Sequence, residues 1–202
     1  MTRGKSKNFD PEKLSVFGVG CIGSGDYTTG GDNKTRVYRV WQGMMWRCYS
    51  SSQPVSYAGC TVHDDWLNFQ NFARDYFKMF DHAEDDWQLD KDILVKNNKI
   101  YSVETCVACP SEINKIFQRS RGSRGKYPLG VSWHKNHDVF SANMQVEGRT
   151  KFLGHYINVG DAFMAYKTFK ERYIKEVAEE YKEIISDKLY EALLNYEISI
   201  ND

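Results

Sequence analysis

Residues 129–177 contain the pattern that most restricts the possible folds of this chain, three short strands followed by one long helix. Apolar and polar residues alternate over 129–135, 139–146 and 151–157, and the turn sequences NHD and EGR separate these segments. From about Gly160 apolar residues recur at helical spacing on one face: Ala162, Phe163, Tyr166, Phe169, Tyr173 and Val177. We therefore predict a three-stranded antiparallel sheet packed on a long helix.

The N-terminal half has a different character, because its periodic segments are helical and aromatic. Apolar residues follow helical spacing over 37–49, and a second helix is predicted to begin at Asp64 with an aromatic stripe on one face. A stripe of this kind is more often core than ligand pocket. Together the two halves predict the α+β class, and 202 residues suffice for one large domain or two small ones.

The segment 87–118 joins the two halves and predicts a strand, a turn, a strand and a short helix. The first strand ends near Asp90, the turn covers 96–99, a β-rich run covers 100–107, and Ser111 after Pro110 is a good helix start. This is the outline of a ββα-metal finger. In such a finger a carboxylate on the strand and a ligand on the helix hold a metal that binds a scissile phosphate.

This segment resembles the HNH (His-Me finger) endonucleases of bacteriophages, through L-D-K-D-I-L, N-K-x-Y-S, E-T-C-V and E-I-N. Upstream, Y-x-x-W-x-x-M, R-C-Y and W-x-x-F-x-x-F extend the resemblance back to about Tyr38. The resemblance implies a DNA endonuclease (a hydrolase) in which Asp90 and Asn114 hold Mg²⁺, a hard cation that takes oxygen ligands. It also implies that the general-base position holds Lys91 instead of histidine.

The lysine at this position leaves the catalytic prediction open. Lys91 would act as a base only in its neutral form, whereas as a cation it would neutralise the phosphate while His82 or His63 supplied the base. The alternative is a catalytically degenerate descendant that occupies DNA, or that binds and inhibits a host or defence protein. The sequence does not separate these functions.

The C-terminal segment resembles the Apetala-type (ethylene-response-factor) DNA-binding domain in its phage form, through G-V-S-W, F-L-G-x-Y and D-A-x-x-A-Y. The resemblance covers most of 127–173 and implies that the sheet lies in the major groove of double-stranded DNA while the helix braces it. A basic linker, RSRGSRGKYP, precedes it and suits a DNA backbone, and a hinge between domains is the alternative on composition alone. The predicted DNA contacts are Arg121, Arg124, Lys126, Ser132, His134, Lys135, Ser141, Asn143, Gln145, Arg149 and Lys151.

The five cysteines, an odd number, suit a reducing compartment better than a disulfide framework. Cys48, Cys60, His63 and Cys106 have spacings that are compatible with a structural zinc site. The alternative, which we favour, is that Cys48 and Cys106 are small core residues.

The charges are distributed unevenly along the chain. Net charge is zero, but 1–60 and 101–160 each contain eight basic against four acidic residues, so a basic face is still expected. With no apolar run of membrane length and no signal-peptide core at the start, we expect a cytoplasmic protein of an infected bacterial host cell. The predicted segments are a glycine-rich arm (1–36), the HNH-like domain (37–118), the linker (119–128), the DNA-binding module (129–181) and an acidic helical tail (182–202), which packs back or binds a partner.

Overall fold

The structure is a computed structural model and describes residues 10–81, 83–117 and 126–202. The chain divides into two compact units, 1–108 and 109–202, so the predicted finger at 87–118 does not fall within one unit. The elements of the first unit are α1 (Arg36–Tyr49), a 3₁₀ helix (Val55–Tyr57), β1 (Thr61–Val62), α2 (Asp64–Leu67), α3 (Phe69–Met79), β2 (Gln88–Asp90), β3 (Ile100–Tyr101) and β4 (Val107–Cys109), whose last residue begins the second unit. The second unit continues with α4 (Ser111–Phe117), β5 (Val131–His134), β6 (Val139–Val146), β7 (Arg149–Tyr156), α5 (Val159–Tyr181) and α6 (Asp187–Leu194).

Helices α1 and α3 form the core of the first unit, as their aromatic periodicity predicts. The side chains of Thr35 and Asn68 cap them by accepting backbone N–H bonds from the first turn. The buried cluster consists of side chains that are at most 1% exposed: Trp41, Met44, Met45, Trp66, Phe69 and Phe72. The indole of Trp41 donates to the carbonyl of Trp66, and the indole of Trp66 donates to the carboxylate of Asp75, so both buried N–H groups are satisfied.

The described part of the glycine-rich arm, from residue 10 onward, packs against this helical core. The backbone N–H and the carbonyl of Cys21 both form hydrogen bonds to the junction between α2 and α3 and so hold the arm there. A Cβ atom at Gly20 would lie 2.8 Å from the Met45 side chain, and one at Gly23 would lie 2.3 Å from Asn68. These two glycines therefore permit a close approach of the arm to the helices.

The strands around the predicted finger pair differently from the expectation. β2 pairs with β4, and β3 runs parallel to β1, so among the described residues the predicted hairpin across 96–99 does not form. The Asn98 side chain bonds the backbone of Lys91 and Ile100, which closes 91–98 into a loop. Hydrogen bonds between Ser102 and Thr105 interrupt the predicted strand 100–107. The ββα-metal motif is therefore not confirmed, although α4 begins at Ser111 as predicted.

The second unit contains the predicted sheet and helix. Strands β5, β6 and β7 form an antiparallel sheet in that order, and α5 covers one face of it. Met144 of the central strand β6 packs in a buried cluster with Phe163 and Tyr166 of α5. The expectation of an α+β protein with a three-stranded antiparallel sheet on a long helix is confirmed.

A bulge in β7 changes the alternation of its side chains. Leu153 has no partner residue in β6 and packs against the apolar cluster. Gly154 beside it adopts φ 141°, a conformation that favours glycine. As a result Phe152 and His155, which are three residues apart, lie on the same face with ring centroids separated by 4.8 Å.

The acidic tail packs on its own unit, one of the two predicted alternatives. Leu189 and Leu193 of α6 are buried, and Ile198 joins the cluster under the sheet. The backbone N–H of Ile198 donates to Glu171 Oε1 at 2.6 Å, and its carbonyl accepts from Lys167 Nζ at 2.9 Å. Lys167 and Glu171 also form an ion pair with each other. No helix among the described residues is long and apolar enough to cross a membrane.

Candidate functional site

The sheet face opposite α5, called here the outer face, carries most of the predicted base-contacting side chains. Because Met144 packs toward α5, its neighbours Asn143 and Gln145 point the other way. The register places Ser132 and His134 of β5 on this face as well, opposite Ser141 and Val139 of β6. Gln145 and Ser132 are exposed, and Asn143 and His134 are half-buried.

Two of the predicted groove contacts lie on the helix side, and a third is on the outer face but buried. The Nζ of Lys151 lies 4.6 Å from the centroid of the Phe169 ring in α5, so Lys151 belongs to the helix side. Arg149 pairs with Val146, whose side chain packs against the helix-side cluster, and so shares that side. Ser141 is on the outer face but only 5% exposed, so it is not available for direct base contact.

Two histidines near His134, His137 and His155, were not among the predicted DNA contacts. His134 lies 4.8 Å from His137 and 5.5 Å from His155 between ring centroids, so three of the five histidines of the chain cluster at one end. The buried Ser141 hydroxyl shares a 2.9 Å hydrogen bond with Nδ1 of His155 and orients that ring. The buried Nδ1 of His134 has no hydrogen-bond partner among the described residues. Gly154 within a strand was the available signal, because glycine there often marks a bulge.

The predicted phosphate contacts are few. Lys135 is exposed in the β5–β6 turn, and Lys126 is exposed with its Nζ 5.2 Å from the Tyr127 ring centroid. Arg121 and Arg124 lie outside the described residues. On the outer face of the three strands the described side chains are mainly amides, hydroxyls, imidazoles and one exposed phenyl ring, without a lysine or arginine. Such a face suits base edges better than phosphates.

Asp90, the predicted strand ligand, is rigidly held at the end of β2. Its Oδ1 accepts the backbone N–H bonds of Asp92 at 2.7 Å and Ile93 at 2.8 Å. Burial raises the pKa of Asp90, and these two bonds offset burial only in part. Within the described residues no ion pair to Asp90 is formed, so its charge is desolvated without a contacting counter-ion.

Lys91, at the position of the general base, is 7% exposed and bonded as a donor. Its Nζ donates to both carboxylate oxygens of Asp92, at 2.7 and 2.9 Å, and to the carbonyl of Asn98 at 2.7 Å. The rings of Tyr57 and Tyr101 lie within cation–π distance, at 5.9 and 5.8 Å. An ammonium that donates three hydrogen bonds has no lone pair with which to accept a proton, so this geometry fits a structural cation.

The remaining catalytic candidates are Asn114, His63 and His82. Asn114 is buried in α4, in the second unit, and its role as a metal ligand stays a prediction. His63 is exposed and caps α2, with Nδ1 accepting from the backbone N–H of Asp65 at 3.4 Å. His82 lies outside the described residues.

The four candidate zinc ligands have no geometric support as a set. Among residues 10–81, 83–117 and 126–202, no three His, Cys, Asp or Glu side chains form a group that could hold a metal ion. Burial raises the pKa of Cys48 to about 11, with a smaller contribution from Cys60, and raises that of Cys106 to about 12. These values describe the metal-free thiols, and zinc would displace their protons on binding, so the zinc site stays a prediction.

Comparison of the chain with protein-family models, with curated protein sequences and with solved structures finds no match. The function must therefore be inferred from side-chain chemistry and geometry. Two candidate sites follow from the geometry. One is the outer face of the sheet, and the other is the Asp90 turn, in which the Asp90 carboxylate accepts backbone hydrogen bonds from Asp92 and Ile93.

Proposed function

We propose that this protein binds double-stranded DNA through the outer face of its C-terminal sheet. The observation that carries the proposal is that Ser132, His134, Asn143 and Gln145, all predicted DNA contacts, share one sheet face, while α5 occupies the other. The major groove is about 12 Å wide and admits β-strands that carry polar side chains toward the base edges. Amide side chains on such a face present a donor and an acceptor together, the pattern that base edges require.

Fluorescence anisotropy with a labelled duplex of about two helical turns tests this proposal. Full-length protein is expected to bind, and replacing Asn143 or Gln145 by alanine is expected to weaken specific binding roughly tenfold. Lys151→Ala is the matched control, because Lys151 stacks on Phe169 at the helix side, and it should leave affinity nearly unchanged. The proposal fails if the protein binds no duplex at low salt, and a protein partner then becomes the leading hypothesis.

Metal-dependent phosphodiester cleavage is the second candidate function, and the Asp90 turn favours it. The residues fit a divalent cation because a desolvated carboxylate has one oxygen fixed by two backbone N–H groups and no contacting cation among the described residues. Asp90 would hold Mg²⁺, and the ion would supply Lewis-acid stabilisation of the phosphate. Thermal unfolding with and without Mn²⁺ tests the fit, since the ion should stabilise wild type and not Asp90→Asn.

The contacts of Lys91 favour a DNA-binding protein without catalysis. The Lys91 Nζ donates three hydrogen bonds to Asp92 and Asn98. A general base instead needs a lone pair that is free to accept a proton. Nicking of supercoiled plasmid in Mg²⁺ or Mn²⁺ decides between the two functions. Nicking that Asp90→Ala abolishes would establish the enzyme, whereas DNA binding without nicking would establish the non-catalytic protein.

A further inference from the structure

Two cross-strand pairs of side chains lie on the outer face toward the β6–β7 turn. Asn143 of β6 lies opposite Phe152 of β7, and Gln145 lies opposite Thr150. The Phe152 ring is 55% exposed, and Gln145 and Thr150 are both exposed. The Nε2 of Gln145 donates to the hydroxyl of Thr150 at 2.7 Å, so the amide has a fixed orientation. Each pair therefore sets a carboxamide beside an apolar group, a phenyl ring in one case and a methyl group in the other.

An A·T base pair presents the complementary pattern in the major groove. Adenine offers the N7 acceptor and the N6 donor, which a carboxamide can contact bidentately, and thymine beside it offers a 5-methyl group for apolar contact. Guanine is instead recognised chiefly by arginine or lysine. The three strands contain one lysine and one arginine, and both of these residues, Lys151 and Arg149, lie on the helix side. The outer face of the described strands thus matches A·T edges and lacks the usual partner of guanine.

The spacing of the two pairs also matches the base-pair repeat. Two residues along a strand advance about 6.6–6.8 Å, and two base-pair steps advance about 6.8 Å. We propose that the outer face recognises two A·T base pairs two steps apart, one through Asn143 with Phe152 and one through Gln145 with Thr150. This inference rests on the proposed DNA binding and adds the identity of the preferred bases.

The experiment compares full-length protein on duplexes that differ only in their central base pairs, by fluorescence anisotropy at one salt concentration. Replacing one recognised A·T pair by G·C is expected to weaken binding roughly 5- to 150-fold. Two chemical substitutions locate the contact in the major groove. Deoxyuridine in place of thymidine removes the methyl group, and 7-deazaadenine removes the N7 acceptor, and each is expected to weaken binding.

Variants assign each contact to a side chain. With the base analogues placed only at the A·T pair assigned to Asn143 and Phe152, Phe152→Ala is expected to lose sensitivity to deoxyuridine while keeping sensitivity to 7-deazaadenine. Asn143→Ala should show the reverse. Lys135→Ala, at an exposed turn cation, is the control and should weaken A·T and G·C duplexes equally. Circular dichroism melting checks that each variant is folded.

The outcomes separate the base preference from DNA binding itself. Equal affinity for A·T and G·C duplexes, or a preference for G·C, overturns the base-pair proposal and leaves the proposed function standing. A preference for A·T that neither major-groove substitution weakens also overturns it, since the preference then arises from minor-groove shape. Failure to bind any duplex overturns both.

Discussion

Among single residues, Lys91 occupies a predicted catalytic position, but its contacts are those of a residue that stabilises the fold. Lys91→Met keeps an apolar stem of similar length and removes the ammonium. The free energy of unfolding is expected to fall by about 1–3 kcal/mol, because the Asn98 carbonyl and the Asp92 carboxylate lose their shared donor. Urea unfolding followed by tryptophan fluorescence measures the change.

The control for this substitution is Lys78→Met. Lys78 is exposed near the end of α3, and a change there should alter the free energy of unfolding by less than about 0.5 kcal/mol. If the two variants unfold at the same urea concentration, the Lys91 contacts do not stabilise the fold. A Lys91→Met protein of full stability that no longer nicks DNA would return Lys91 to a catalytic role.

Asp90→Asn is expected to stabilise the metal-free protein at neutral pH by roughly 0.5–2 kcal/mol, a common gain for a favourable substitution. Burial raises the folded-state pKa of Asp90 above its unfolded value. Between those two pKa values the folded state binds more protons, so stability falls as pH rises through the window, and above it the charge remains a cost. Asparagine removes the charge and keeps the Oδ1 acceptor for the N–H groups of Asp92 and Ile93.

Urea unfolding at pH 7.5 and near pH 4.5 checks this expectation, and the advantage of Asp90→Asn should shrink at the lower pH. Asp92→Asn is the comparison, because Asp92 is the ion-pair partner of Lys91 and its loss should lower stability instead. A decrease in stability for Asp90→Asn at pH 7.5 would mean that its carboxylate is well compensated.

At the scale of elements, the bulge in β7 determines which side chains reach the outer face. Gly154→Val is expected to cost about 1–3 kcal/mol, because valine is strained at φ 141°. Its Cβ would also lie 2.9 Å from the hydroxyl oxygen of Tyr156, which donates to the carbonyl of Leu153. Gly160→Ala in the first turn of α5 is the control and should keep or raise stability. Thermal denaturation compares the two.

The contribution of the C-terminal tail to the stability of the fold can be measured separately. Ile198 is 5% exposed in the cluster beneath the sheet, whereas Ile200 nearby is 48% exposed. Ile198→Ala is expected to lower the free energy of unfolding by about 2–4 kcal/mol, and Ile200→Ala by less than about 0.5 kcal/mol. Urea unfolding of the two variants provides the measurement. Equal small effects would contradict the packing of the tail on α5.

At the scale of the whole molecule, the number of predicted phosphate contacts determines the salt dependence of DNA binding. The predicted phosphate contacts that remain are four: Arg121, Arg124, Lys126 and Lys135. With about 0.9 per neutralised phosphate, the slope of log affinity against log salt should be about −4, and Lys135→Ala should reduce its magnitude by about 0.9. A titration series in NaCl measures this, and a slope near −8 would show that further cations face the DNA.

Periodicity predicted the elements well and their detailed pairing less well. Alternation over 129–157 and the stripe from Gly160 predicted the sheet and α5, because those contacts are local in sequence. The pairing of β3 with β1 joins segments about forty residues apart, which no local pattern reports. Within β7, Leu153 shifts the alternation, and the long side chain of Lys151 stacks on Phe169 across the unit. Simple alternation therefore assigned two cations to the wrong side.

The five cysteines are free and buried, and this has a practical consequence for every experiment above. Folded molecules keep their thiols from oxidants, so mild air exposure leaves the chain covalently unchanged. Unfolding releases an odd number of sulfhydryl groups at once. Scrambled or intermolecular crosslinks would then trap denatured material, so reversible titrations need a reductant throughout.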